Sequence, residues 1–196
     1  MKKFIPILAL CGFSACAPAD TNSQTKNTLE KSDAALSSVL MDESKGCMDG
    51  PMTQFGRYVG DWNIKDETLS KTDGKTWEEG KGARWNFTCV GDGIAVQDFW
   101  MPNGGGKGTN LRIYNPETES WDIVWTATGA PGTMNINAKQ QEGGEILMNI
   151  LSPVQNPPRR IIFWPPTDEG WGWTMQMDLS SNGSWTDVYR IKATRR

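Results

Sequence analysis

The chain predicts an all-β fold, an antiparallel up-and-down β-barrel of about ten strands, from three features. The first is strict alternation. "ARWNFTCV" places Ala83, Trp85, Phe87 and Cys89 on one face with Arg84, Asn86 and Thr88 on the other, and "GWGWTMQMDL" groups Trp171, Trp173, Met175 and Met177 opposite Thr174, Gln176 and Asp178. The second is turn chemistry between the runs: "GDG" at 91–93, "NGGGKG" at 103–108, "YNPETES" at 114–120, "EGG" at 142–144 and "SNGS" at 181–184, all residue types that supply φ > 0 or bond their own backbone. The third is that no segment of helix length with helical periodicity follows Phe55. Runs near residues 61, 84, 95, 111, 123, 135, 147, 162, 174 and 188 make a meander whose open edges are removed by closing it into a barrel.

In chain order, the leader comes first. "MKKFIPILALCGFSACAPAD" has two lysines, an apolar run from Phe4 to Leu10 and small residues before Cys16, the layout of an export signal that is too short for a stop-transfer helix. The stretch "FSAC" resembles the bacterial lipobox, with Phe13 standing where Leu is usual. On that resemblance residues 1–15 are a lipoprotein signal peptide, and Cys16 is acylated as the new N-terminus. The competing Cys11 follows bulky Leu10 and fits a signal peptidase badly. Ala17 rather than Asp after the cysteine implies sorting to the periplasmic side of the outer membrane. More than one acyl chain on Cys16 would hold it there, since each buried methylene contributes about 0.8 kcal/mol.

Residues 16–46 are rich in Ser, Thr, Asn, Lys and Asp and poor in large apolar groups, so burial does not offset the entropy of ordering them, and they read as a flexible tether. Leu36, Val39 and Leu40 give the stretch 32–43 weak helical character at most. The folded domain is then 47–196. Its two cysteines, Cys47 and Cys89, are 42 residues apart, and an oxidising compartment invites them to pair. In the chain-entropy model that disulfide stabilises by about 4 kcal/mol; the alternative is two separate buried thiols.

"GDW", Gly60 to Trp62, resembles the Gly-x-Trp that begins the first strand of calycins, the superfamily of lipocalins and fatty-acid-binding proteins. In that superfamily an arginine of the last strand lies over the tryptophan and closes the base of the barrel, an arrangement worth about 1 to 2 kcal/mol when desolvated. The tail "WTDVYRIKATRR" at 185–196 supplies Arg190 for this pairing with Trp62, with Lys192 and Arg195 as alternatives. "GDGIAVQDFWMP", "GTNLRIYNPETESWDIVW" and "NGSWTDVYRIKATRR" resemble a group of bacterial calycin-like lipoproteins to which no chemistry is attached, over roughly Phe55 to Arg196. The opening "FGRYVGDW" then has a structural purpose. Phe55 and Tyr58 pack a turn across the barrel floor, Gly60 bends the chain into the first strand, and Trp62 plugs the base.

Composition excludes several functions. There is no His among the 196 residues, which removes the commonest general base, the commonest metal ligand and haem ligation of the kind used by the nitrobindin-like barrels. A formal charge of -3 without a basic stripe offers nothing to nucleic acid. "GGGKGT" at 104–109 lacks the Ser or Thr and the helix of a phosphate loop and reads as a hairpin. "DETLSKTDGK" at 66–75 lacks the spacing of a calcium loop and reads as a solvated turn. Of the strand carboxylates Asp92, Asp98, Asp122 and Asp187, Asp98 stands out because "VQDFW" places it among aromatics, where burial would make it an acid. The plainer expectation is that it faces outward.

Of ten tryptophans, nine remain once Trp62 is assigned to the plug. Trp85, Phe87, Trp100, Trp125, Trp173, Met175 and, as a polar anchor, Arg112 form the expected ligand-binding set, with Arg84, Arg160 and Gln97 as further polar candidates. The functional expectation is a cell-envelope lipoprotein that binds a small hydrophobic or amphipathic molecule inside a barrel, with no metal and no cofactor. Two alternatives stand beside it. One is a protein-interaction module that docks a partner through exposed Trp164 and Trp171 in "WPPTDEGWGW"; the other is a cofactor-independent isomerase- or cyclase-type enzyme working with one carboxylate.

Overall fold

A computed structural model describes residues 45–91 and 93–196. The leader, Cys16, nearly all of the 16–46 segment and Asp92 lie outside the described residues. The chain enters through a 3-10 turn at Lys45–Met48 and a second at Gly50–Met52, then the single helical turn α1, Thr53–Gly56. Eleven strands follow: β1 Gly60–Leu69, β2 Trp77–Glu79, β3 Ala83–Val90, β4 Ala95–Pro102, β5 Gly108–Asn115, β6 Ser120–Ala127, β7 Met134–Gln140, β8 Ile146–Ser152, β9 Arg159–Phe163, β10 Trp171–Met177 and β11 Thr186–Arg195. From β3 to β11 each strand pairs antiparallel with the next, β3 also pairs with β1, and β11 returns to β1. The result is a closed, calycin-like barrel of ten strands. β2 lies outside the ring as a short flap on the far half of β1; "WEE" is too brief for alternation to reveal it.

Closure fixes which end of β11 meets which end of β1, and this corrects the choice of cation. Trp62 lies opposite Arg195, whereas Arg190 lies opposite Glu67. The Arg195 guanidinium sits 4.2 Å from the Trp62 ring centre and Nη1 donates to the Val59 carbonyl at 3.1 Å. Arg190 instead pairs with Glu67 at 2.6 Å and covers Trp77 of the flap at 4.1 Å. Because Arg195 is exposed, its stacking is worth nearer 0.5 to 1 kcal/mol, about the value for a hydrated site. Gly60 is required on two counts: its φ is +135°, and a Cβ there would occupy the space of the Arg195 guanidinium.

The floor is aromatic. α1 lies across one end of the barrel and inserts Phe55, and Tyr58 follows it; both are fully buried. Tyr58 packs against Phe163 at 5.3 Å and Trp171 at 5.1 Å, and Trp62 meets Trp171 edge-on at 5.7 Å. Each such pair contributes about 0.5 to 1.5 kcal/mol beyond area burial. Two of the floor's polar tips are satisfied: Trp62 Nε1 donates to the Tyr58 carbonyl at 2.7 Å and the Tyr58 hydroxyl donates to the Trp164 carbonyl at 2.9 Å, whereas the buried Trp171 Nε1 has no acceptor among the described residues. Burial pushes the Tyr58 phenol up to about 12, against the neighbouring Arg57 charge that pulls it down. Trp171 is therefore part of the plug and not a surface docking residue; its partner in that expectation, Trp164, is 43% exposed.

Cys47 and Cys89 form a disulfide that ties the entry turn to β3. The approach is close enough that a Cβ on Gly56 would collide with the Cys47 carbonyl. The "GGGKG" stretch joins β4 to β5 as a hairpin, and Asp73 caps the turn after β1 by accepting from the amides of Lys75 and Thr76.

Candidate ligand cavity

Above the floor the barrel interior is open. A cavity of about 340 Å³ lies at the small end of the range for ligand sites. Strand alternation decides its wall, since residues of one parity on each strand share the interior. Arg112, Phe163, Ile136 and Met148 form its deep end, Trp85, Trp173, Ile161 and Ile191 its middle, and Trp100, Trp125, Met134, Ile150, Met175 and Tyr189 the end away from α1. The last six are only partly buried, so that end is the mouth. The lower wall is closed off by the aromatic floor.

One polar cluster interrupts this apolar wall. Asp98 is opposite Asn110 in the β4–β5 ladder and Val96 is opposite Arg112, so Asp98 and Arg112 are diagonal neighbours on the inner face. Both side chains are fully buried, and Arg112 Nη2 meets Asp98 Oδ2 at 2.5 Å. The Asp98 carboxylate also accepts from the Asn110 amide at 3.2 Å and from Asn110 Nδ2 at 3.1 and 3.0 Å. Asp98 thus has its acceptor capacity well used. Arg112 does not: Nε and Nη1 are buried and have no hydrogen-bond partner among the described residues. Its flat faces are covered instead, by Phe55 at 4.8 Å, Phe87 at 5.2 Å and Phe163 at 5.7 Å from the guanidinium carbon. Taking two ions out of water costs several kcal/mol each, which their attraction offsets only when the remaining protons and lone pairs are also matched.

Two more cavity residues carry unmatched donors. Arg159 Nε and Trp85 Nε1 are buried without an acceptor among the described residues. At the mouth, the Tyr189 hydroxyl donates to Asp66 Oδ2 at 2.8 Å. Burial first, and then the Asp66 carboxylate, raise the phenol far above its ordinary value, so it stays neutral and keeps donating.

Of the expected ligand-binding set, Trp85, Trp100, Trp125, Trp173, Met175 and Arg112 line this one cavity. Phe87 does not; it lies beneath, packed on Phe163 and Trp171 in the floor. The other polar candidates point outward. Arg84 pairs with Asp61 at 2.7 Å, Arg160 stacks on Trp185 at 4.3 Å while bonding Gln176, and Gln97 bonds Thr109. Each sits one residue from an inward-facing neighbour, which reverses its face. Asp98 faces inward, against the plainer expectation. The signal was its parity with Trp100, which lines the cavity, and with Val96, which is fully buried on the same face. Asn110, Arg159 and Tyr189 were missed, although Asn110 shares the parity of Arg112.

No protein-family model matches this chain, and no curated protein does. Among solved structures it is similar to the S-type phycobiliprotein lyase CPES from Guillardia theta, with a TM-score of 0.52 and 12% sequence identity over 79% of this chain and 97% of that one. That likeness shows the fold, a calycin-like barrel.

Proposed function

We propose that the protein is an envelope lipoprotein, anchored through Cys16 on the periplasmic side of the outer membrane, whose barrel binds a small apolar or amphipathic molecule. The observation that carries the binding half is the cavity itself: about 340 Å³ of space walled by aromatics and methionines in a barrel whose floor is sealed. A ring of ten strands with this many inward tryptophans could have filled its interior with side chains, and it leaves room instead. The membrane half rests on the leader and on "FSAC". The runner-up, a docking module built on Trp164 and Trp171, loses half of its surface because Trp171 is 3% exposed. An enzyme built on Asp98 is disfavoured because its carboxylate is held by Asn110 and Arg112.

Native mass spectrometry of the full chain purified from a bacterial envelope, with organic extraction of what travels with it, tests both halves. A chain that begins at Cys16 and carries covalent acyl mass supports the anchor; an intact leader or an unmodified N-terminus overturns it. A discrete adduct that extraction removes, or one that appears after soaking in small apolar compounds, supports the cavity reading. A mass that stays free of adducts through that soak overturns it.

A further inference from the structure

We infer that Asn182 is a self-modification site, where the main-chain nitrogen of Gly183 attacks the Asn182 carboxamide, with Asp178 as the base, and converts it to aspartate and isoaspartate. The sequence holds two Asn-Gly pairs, Asn103–Gly104 and Asn182–Gly183, and along the chain they look alike, since glycine puts no side chain in the way of the attack. The structure separates them. Asn182 and Gly183 are exposed in the loop that joins the mouth ends of β10 and β11. Gly183 has φ of +86°, and a Cβ there would meet nothing. Asp178, at the start of that loop, is held by the barrel: it is 5% exposed, and its amide donates to the Pro158 carbonyl at 3.0 Å. Its Oδ2 accepts from the Gly183 N–H at 2.8 Å and its Oδ1 from the Asn182 N–H at 3.1 Å. The nitrogen that must lose a proton to attack therefore already shares that proton with a carboxylate. The electrophile is prepared as well. Asn182 Oδ1 accepts from the Ser184 amide at 2.9 Å, which folds the side chain along the Gly183 peptide and sets a donor where negative charge collects as Cγ is attacked.

The step balances with the loop and water alone. Gly183 N gives its proton to Asp178 and bonds to Asn182 Cγ; the Cγ–Nδ2 bond breaks, and Nδ2 takes up that proton and leaves as ammonia. Water then opens the cyclic imide at either carbonyl, one route giving aspartate and the other isoaspartate. Either product adds a negative charge beside Asp178 at the rim of the barrel, and isoaspartate also reroutes the main chain through the former side chain. Asn103 is placed differently. Its Nδ2 donates to the Lys81 carbonyl at 2.9 Å, which ties the carboxamide to the β2–β3 connection, and the side chain that borders Gly104 is the Lys81 cation. Among the described residues no carboxylate accepts from the Gly104 amide.

The test incubates the full chain at neutral pH, folded and in denaturant, and follows both Asn-Gly pairs by peptide mapping with mass spectrometry, using fragmentation that tells isoaspartate from aspartate. In the folded chain Asn182 should react at least about tenfold faster than Asn103, the low end of what a positioned base supplies. In denaturant the two rates should converge, because only the fold distinguishes the sites. An Asn103 that reacts as fast as Asn182 in the folded chain overturns the inference. So does an Asn182 that reacts more slowly folded than unfolded, which would mean that the Asp178 bond protects the amide. Asp178→Asn gives a second readout: it keeps an acceptor of the same shape but removes the base, and the Asn182 rate should fall toward that of Asn103. An unchanged rate in that variant overturns the inference. If the variant does not fold, the comparison of the two sites in the parent chain decides alone.

Discussion

Trp62 and Arg195 show how differently two partners of one contact weigh. Trp62 is 3% exposed, bonded through Nε1 and wedged against Trp171, while Arg195 lies over it from the solvent side. Trp62→Ala should therefore cost about 3 to 5 kcal/mol, and Arg195→Met no more than about 1 kcal/mol. Thermal melts of the two variants check this; a larger loss from Arg195→Met would mean that the guanidinium and not the ring seals the base. Tyr58 carries a pH signature. Its phenol titrates near 12 in the fold against an ordinary value of 10.0, so its contribution is whole below pH 10 and is lost as pH rises toward 12, because the unfolded chain releases its proton first. Denaturant melts between pH 8 and 11 should show stability falling on the alkaline side, and Tyr58→Phe should flatten that fall. Tyr189, shifted in the same direction, leaves a residual slope.

At the level of elements, the alternation of β3 and β10 and the turn signals placed ten strands, and each expected run falls within a strand of the ring. That legibility has a cause: the inward face of the ring is apolar and the outward face mostly polar, even in β3 where outward Asn86 and Thr88 are themselves buried, so period two is written into the residue types. The flap β2 and the helical turn α1 left no such pattern. Three and four residues are too few for periodicity, and what holds them is distant: β2 pairs with β1, and α1 is fixed by Gln54 on the Trp121 indole at 2.9 Å and by Phe55 in the floor. The disulfide belongs to this scale as well, since it clamps the segment that carries α1 to β3. Replacing both cysteines, Cys47→Ala with Cys89→Ala, should lower the melting temperature by on the order of ten degrees, from about 4 kcal/mol of lost loop restraint. Differential scanning calorimetry reads this directly; an unchanged midpoint would mean that packing alone holds the floor.

For the whole molecule, the barrel is a rigid wall with a sealed base and an apolar interior, and ligand binding should register as global stability. A small apolar ligand at a hundred times its dissociation constant should stabilise by about 2.7 kcal/mol, a rise of roughly five to ten degrees in melting temperature. A melting temperature that does not move under a saturating concentration of the molecule extracted from the purified chain would contradict occupation of the native cavity.

Residue types and their spacing determined the architecture of this protein, the pairing of Cys47 with Cys89 and the aromatic character of its interior. These depend on local alternation, turn chemistry and the number of cysteines in the folded domain, all of which can be read along the chain. Closure decided the rest. Only the β1–β11 register puts Arg195 and not Arg190 over Trp62, and only the β4–β5 register makes Asp98 and Arg112 neighbours across the ladder. Arg112 and Arg160 look alike in the sequence, one bound for the cavity and one for solvent. A shift of one residue exchanges the two faces of a strand, and the energy that forbids the shift comes from partners dozens of residues away.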